Sequence, residues 1–129
     1  NQIHRYRLEN QVFIKGESNH IIDQYEHSDI FCFPSANEGF PLAMTEAMSA
    51  GLPVVGFKNC TAVAELIDNG KTGILVDDGA EALAQGLKIL MDDRGRRIKI
   101  GEAARAAMEK FSPEIVWDKW EQLLNEVIN

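Results

Sequence analysis

Short apolar runs alternate with longer helix-forming stretches from Val12 to Met91, and this alternation limits the fold more than any other feature of the chain. The runs are Val12-Phe13-Ile14, Ile30 to Phe33, Leu52 to Phe57 and Gly73 to Val76. Each reads as a strand, those at Ile30 and Leu52 buried, closed by a turn residue such as Gly16, Pro34 or Asp77. Helices are expected between them: Ile21 to Glu26 with Asn19 as cap, Pro41 to Ala50, Thr61 to Ile67 with Thr61 as cap, and Ala80 to about Met91. Two further helices follow, Arg94 to Lys110 and one opened by Ser112-Pro113. Strands that alternate with helices predict an α/β fold, a parallel sheet flanked by helices with right-handed crossovers.

Such sheets bind ligands beyond the carboxyl ends of their strands. The loops after Ile14, Phe33 and Phe57 therefore belong to one rim, which gathers Gly16-Glu17, Ser35 to Phe40 and the loop before Glu65. The stretch Glu38-Gly39-Phe40-Pro41-Leu42-Ala43-Met44-Thr45-Glu46 dominates that rim. Pro41 suits the first helical position and Gly51 the residue just past the end. A helix start leaves N–H groups unpaired at the positive end of its dipole, which favours an anion. Glu38 in the loop and Glu46 in the second turn would repel phosphate alone. They suit sugar hydroxyls, so a ligand with both phosphates and hydroxyls accounts for the whole stretch.

Composition removes several alternatives. Net charge is −7, from 13 Lys+Arg against 20 Asp+Glu, which argues against nucleic acid as a general partner. Cys32 and Cys60 have no metal-ligand spacing, and Cys32 reads as a free thiol in a buried strand. Ser35 has no His-Asp partnership and reads as a loop hydrogen bonder. Ile98, Ile100, Ala104, Ala107 and Met108 form the expected apolar side of the helix Arg94 to Lys110. In the last helix Val116, Trp117, Trp120, Leu123, Leu124 and Val127 form a wide apolar stripe. The Trp117/Trp120 face and an exposed sheet edge are candidate surfaces for self-association.

Pro34-Ser35, Glu38 to Leu42 and Thr45 to Val55 together resemble the donor-binding signature of retaining glycosyltransferases with two Rossmann-like domains. These are the transferases of GT-B architecture in glycosyltransferase family 4, or glycosyl transferases group 1. Two Glu residues with seven residues between them are the hallmark, and Glu38 and Glu46 match it. Val12 to Gly16, Asp29 to Ser35 and Glu65 to Val76 match the flanking blocks, so the resemblance covers roughly Val12 to Leu90.

The resemblance implies a Rossmann-like fold within the C-terminal half of a GT-B enzyme, with residues 1–129 as one partial nucleotide-sugar-binding domain. It implies that Glu46 binds the nucleotide ribose and that Glu38, the catalytic-site acid, contacts the transferred sugar. Backbone N–H groups of Gly39, Phe40, Leu42 and Ala43 would face the sugar or diphosphate. Gly16 and Glu17 would hold the base, and Glu65 would lie on the sugar or diphosphate side. The implied reaction is retaining transfer of a hexose from a nucleotide sugar, with UDP the expected carrier, to a glycan or lipid-linked acceptor. No metal or other cofactor is expected, and the implied location is cytoplasmic or peripheral on the inner membrane face. The family's Arg and Lys that contact the diphosphate have no match here, nor does its acceptor-binding half. The chain therefore reads as a fragment that is inactive alone. The alternative function is a non-catalytic nucleotide-sugar-binding or interaction module.

Overall fold

The computed structural model describes residues 1–128. Three parallel strands, β1 (Phe31–Phe33), β2 (Val54–Phe57) and β3 (Gly73–Val76), form a sheet in the order β1-β2-β3. Helix α3 (Leu42–Ser49) connects the first pair and α4 (Thr61–Leu66) the second. Helices α1 (Gln2–Arg5) and α2 (Ile21–Glu26) precede the sheet. Helices α5 (Ala80–Asp92), α6 (Arg94–Met108) and α7 (Pro113–Ile128) follow it, with a single 3-10 turn at Glu109–Phe111 between the last two. The expected α/β architecture is present.

Alternation along β2 divides the core. Val54 joins Met44 and Met48 of α3, Val63 of α4, and Ala104 and Met108 of α6 on one face. Val55 points the other way, to Ile74, Leu90 and Ile100, beneath α5. Burying side chains of this size contributes roughly 1.5–3 kcal/mol each, so both faces of β2 are held. Helix α6 packs on α3, and its Gly101 comes close to the backbone of Gly51 just past the α3 end. A Cβ on Gly101 would lie 2.1 Å from the Gly51 carbonyl oxygen. Gly51 itself has φ +87°, the left-handed turn expected just past α3.

The structure corrects several expectations. Val12-Phe13-Ile14 is not a strand: no strand pairs with it among the described residues, and Ile14 is 82% exposed. An apolar run becomes a strand only when another strand satisfies its backbone. Cys32 is exposed rather than buried. It lies in the row Cys32–Val55–Ile74, on the face that α5 covers, but α5 packs over β2 and β3 and stops short of β1. Both cysteines are free. Ile98 is exposed, because α6 buries Ile100, Ala104 and Met108 instead. Neither Asn19 nor Thr61 is a cap: His20 and Cys60 hold those positions, without a side-chain bond. Trp117 and Trp120 are exposed, and α7 buries no residue. No helix among the described residues is long and apolar enough to cross a membrane.

Candidate functional site

The chain leaves β1 at Phe33 and enters α3 through Pro41. Pro41 occupies the N-cap, with φ −81° and ψ 77°, rather than the first helical position, and no side chain closes the helix start. Leu42 N–H turns back to the Phe40 carbonyl (2.9 Å), and the ladder begins where Thr45 N–H meets the Pro41 carbonyl (3.0 Å). Ala43 and Met44 N–H are left without an acceptor among the described residues, as are Gly39 and Phe40 N–H in the loop. Leu42 N–H is thus already committed within the protein, contrary to the expectation that it faces a ligand. The open N–H groups carry the positive end of the α3 dipole.

Glu46 stands in the second turn of α3 and is exposed. Its Oε2 accepts a hydrogen bond from the Tyr25 hydroxyl at 3.3 Å, and the same hydroxyl lies 3.4 Å from the Ala43 carbonyl. Tyr25 is only 5% exposed and sits among Ala47, Leu52 and Phe31. Burial raises its phenol pKa, and the Glu46 charge and hydrogen bond raise it further. The α2 helix therefore carries a buried hydroxyl that holds one carboxylate oxygen and leaves the other free.

Glu46, Phe40, Leu42 and Thr45 line a cavity of about 800 Å³ with Ile22 and Glu26 of α2 and Arg105 and Phe111 beyond. Its charged lining is three carboxylates, Glu26, Glu46 and Glu109, against the Arg105 guanidinium. Carboxylates accept but cannot donate, so this wall suits hydroxyl groups, while the α3 N–H groups suit an anion. A smaller cavity of about 350 Å³ is lined by Lys15, Gly16, Glu17 and Ser18 with Ile21 and Gln24. Helix α2 contributes a wall to both. Phe40 meets Phe111 edge to face, with ring centroids 5.5 Å apart and planes at 77°.

The structure thus groups Glu46, Phe40 and Leu42, and places Gly16 and Glu17 in the second cavity. Gly39, Ala43, Glu38 and Glu65 line neither. Glu38 is half-buried, and its Oε1 accepts from the Ser35 hydroxyl (2.6 Å), so Ser35 is the loop hydrogen bonder expected. Glu65 is exposed on α4. On the same carboxyl rim, Lys58 pairs with Asp77 (2.6 Å) and Asn59 donates to Asp78, tying the loop before α4 to the end of β3. Among the described residues no three His, Cys, Asp or Glu side chains converge as metal ligands.

Tyr25, Arg105 and Phe111 were not singled out by the sequence. Tyr25 offered one signal: a tyrosine on the apolar side of a short helix needs a partner for its hydroxyl when buried. Nothing local marks Arg105 or Phe111, which reach the site only through the packing of α6 on α3.

Comparison with known proteins gives this geometry a family. Residues 1–107 match the model for glycosyl transferases group 1. The capsular polysaccharide biosynthesis glycosyltransferase CapM of Staphylococcus aureus is 35% identical over 118 residues, covering 90% of this chain and 30% of CapM. A glycosyltransferase from Rickettsia africae superposes with a TM-score of 0.90 at 30% identity, over 98% of this chain and 35% of that one. HepE of Anabaena, solved with UDP and glucose, superposes with a TM-score of 0.88 at 29% identity, over 97% of this chain and 35% of HepE. The chain spans 14%, 33% and 30% of the first curated relatives it matches. Its fold is part of the C-terminal half of a GT-B glycosyltransferase, and the chain belongs to the glycosyl transferases group 1 family.

Proposed function

We propose that this chain is the donor-binding part of a retaining glycosyltransferase that passes a hexosyl group from a UDP-sugar to a glycan or lipid-linked acceptor in the cytoplasm. One observation carries the reading: a carboxylate, Glu46, held by a buried tyrosine at a cavity beside a helix start whose N–H groups are open. Relatives supply the chemistry. HepE was solved with UDP-glucose, and TarM of S. aureus with UDP and a glycosylated glycerol. A Bacillus subtilis relative is a poly(glycerol-phosphate) alpha-glucosyltransferase.

In this reading the free oxygen of Glu46 accepts from the ribose hydroxyls. Gly16 and Glu17 hold the base across α2. Glu38 accepts from hydroxyls of the transferred sugar, where a fixed carboxylate also stabilises positive charge as the glycosidic bond loosens. The Gly39, Phe40 and Ala43 N–H groups offset charge building on the departing diphosphate, so transfer proceeds without a metal ion. Glu65 contacts the sugar from α4.

The test is calorimetric titration of UDP, with GDP and ADP as controls, into this chain and into Glu46→Ala. UDP is expected to bind with a dissociation constant on the order of 0.1–1 mM, equivalent to about 4–5.5 kcal/mol. Glu46→Ala is expected to weaken it about tenfold, the loss of one charge-assisted hydrogen bond. Equal binding by the mutant would refute the assignment of Glu46.

A further inference from the structure

The loop that carries Gly39 and Phe40 has little of its own to hold it. Ala36, Asn37, Gly39 and Phe40 are exposed, and the loop's side-chain hydrogen bonds run from Ser35 to Glu38 and, at 3.5 Å, to the Asn37 carbonyl. Both bonds are local. Phe40 against Phe111 ties the loop to a remote part of the chain.

Phe111 stands on a firm base. Helix α6 is fixed against α3 by the backbone approach of Gly101 to Gly51 and by Ala104 and Met108 in the core. Met108 is followed at once by the 3-10 turn Glu109–Phe111, which ends α6 and sets the Phe111 ring at the entrance of α3. Lys110 Nζ lies 5.0 Å from the centroid of the same ring, a cation–π contact. Both phenyl rings line the large cavity.

We propose that Phe111 is a positioning residue for the donor: through Phe40 it sets the loop backbone so that the Gly39 and Phe40 N–H groups meet the diphosphate end of the ligand. This role rests on the donor reading given above. Donors to a developing or resting anion act only at about 2.7–3.1 Å, and a displacement of about an ångström is costly. A ring that fixes the loop therefore governs affinity for the diphosphate without touching it. Ribose and base are held by Glu46 on α3 and by Gly16 and Glu17 before α2, so Phe111, although it shares the cavity wall with Glu46, governs the diphosphate more than the nucleoside.

The experiment uses the full chain, labelled with ¹⁵N, as wild type, Phe111→Ala, Phe111→Tyr and Glu46→Ala, titrated with UDP and with UMP. In Phe111→Ala the Gly39 and Phe40 amide resonances are expected to move before any ligand is added. UDP affinity should fall roughly three- to tenfold, the range of an edge-to-face pair, while UMP affinity stays within about twofold of wild type. Phe111→Tyr keeps the ring and should restore UDP binding, whereas Glu46→Ala should weaken both nucleotides alike. Unmoved Gly39 and Phe40 amides, or equal losses of UDP and UMP in Phe111→Ala, overturn the positioning role and leave the donor site standing. Absence of any nucleotide-induced shift in the wild-type chain overturns the donor reading itself and this role with it.

Discussion

Replacing Tyr25 by Phe removes one oxygen from the wall behind Glu46 and leaves the ring in place against Ala47, Leu52 and Phe31. The hydroxyl lies 3.3 Å from Glu46 Oε2 and 3.4 Å from the Ala43 carbonyl. Hydrogen bonds to charged groups contribute about 1.5–3 kcal/mol, but at these distances the bond is long and the lower figure is itself an upper bound. We take about 1 kcal/mol as the orienting energy lost from the carboxylate, which corresponds to a UDP affinity about fivefold weaker. The same substitution has a signature in stability against pH. The Tyr25 pKa is raised in the folded chain, by burial first and by Glu46 second, above the ordinary tyrosine value of about 10. The folded state therefore holds the proton more tightly than the unfolded one. Its contribution is fully present below about pH 10 and is lost as pH rises through the higher folded value. Urea unfolding of wild type is expected to weaken above about pH 10, and Tyr25→Phe should flatten that alkaline limb. Calorimetry with UDP and denaturation series across alkaline pH measure the two effects. An unchanged UDP affinity together with an unchanged alkaline limb would refute the reasoning.

Gly101→Ala would set a methyl group 2.1 Å from the Gly51 carbonyl oxygen, so α6 must lift from α3; thermal unfolding should show a loss of about 3 kcal/mol, the upper end of the usual cost of overpacking because the obstacle is backbone. A small thiol reagent should modify one cysteine of the folded chain, Cys32, and reach Cys60, which is 1% exposed, only after denaturation. Partial burial raises the Cys32 thiol pKa, so its labelling should be slow near neutrality and climb in alkaline solution, as a stopped assay over pH would record.

Elements with strong local signals were legible from the sequence. The strand Gly73–Val76 and the helix Ile21–Glu26 stand where the apolar pattern put them. Gly51 takes the left-handed turn its position after α3 requires. Features that depend on distant partners were not legible. Val12-Phe13-Ile14 has the composition of a strand but no neighbouring strand among the described residues, and composition cannot report the neighbour. The apolar run around Cys32 reads as a buried strand, yet could not tell that α5 ends its coverage at β2 and leaves Cys32 exposed. At the site, the spacing of Glu38 and Glu46 was visible, whereas the hydroxyl behind Glu46 and the ring behind Phe40 come from residues 21 and 71 positions away. The commitment of Leu42 N–H to Phe40 is a detail of ψ at Pro41, which no residue pattern encodes.

Helix α7 has a further consequence, in the language of helix–coil equilibria. Its 16 residues span about 24 Å, close to the length at which a lone helix in water is marginal. No side chain in it is buried, so the helical state draws little on packing and rests chiefly on its own ladder, with the Ser112 hydroxyl near its first turn. Opening its last turns costs little free energy, whereas opening α6 requires dismantling the core around Met108 and Ala104. Amide exchange should therefore fall off steeply in protection from Ser112 onward. Whatever surface comes to cover the Trp117 and Trp120 stripe must supply the ordering energy of that helix as part of its own affinity.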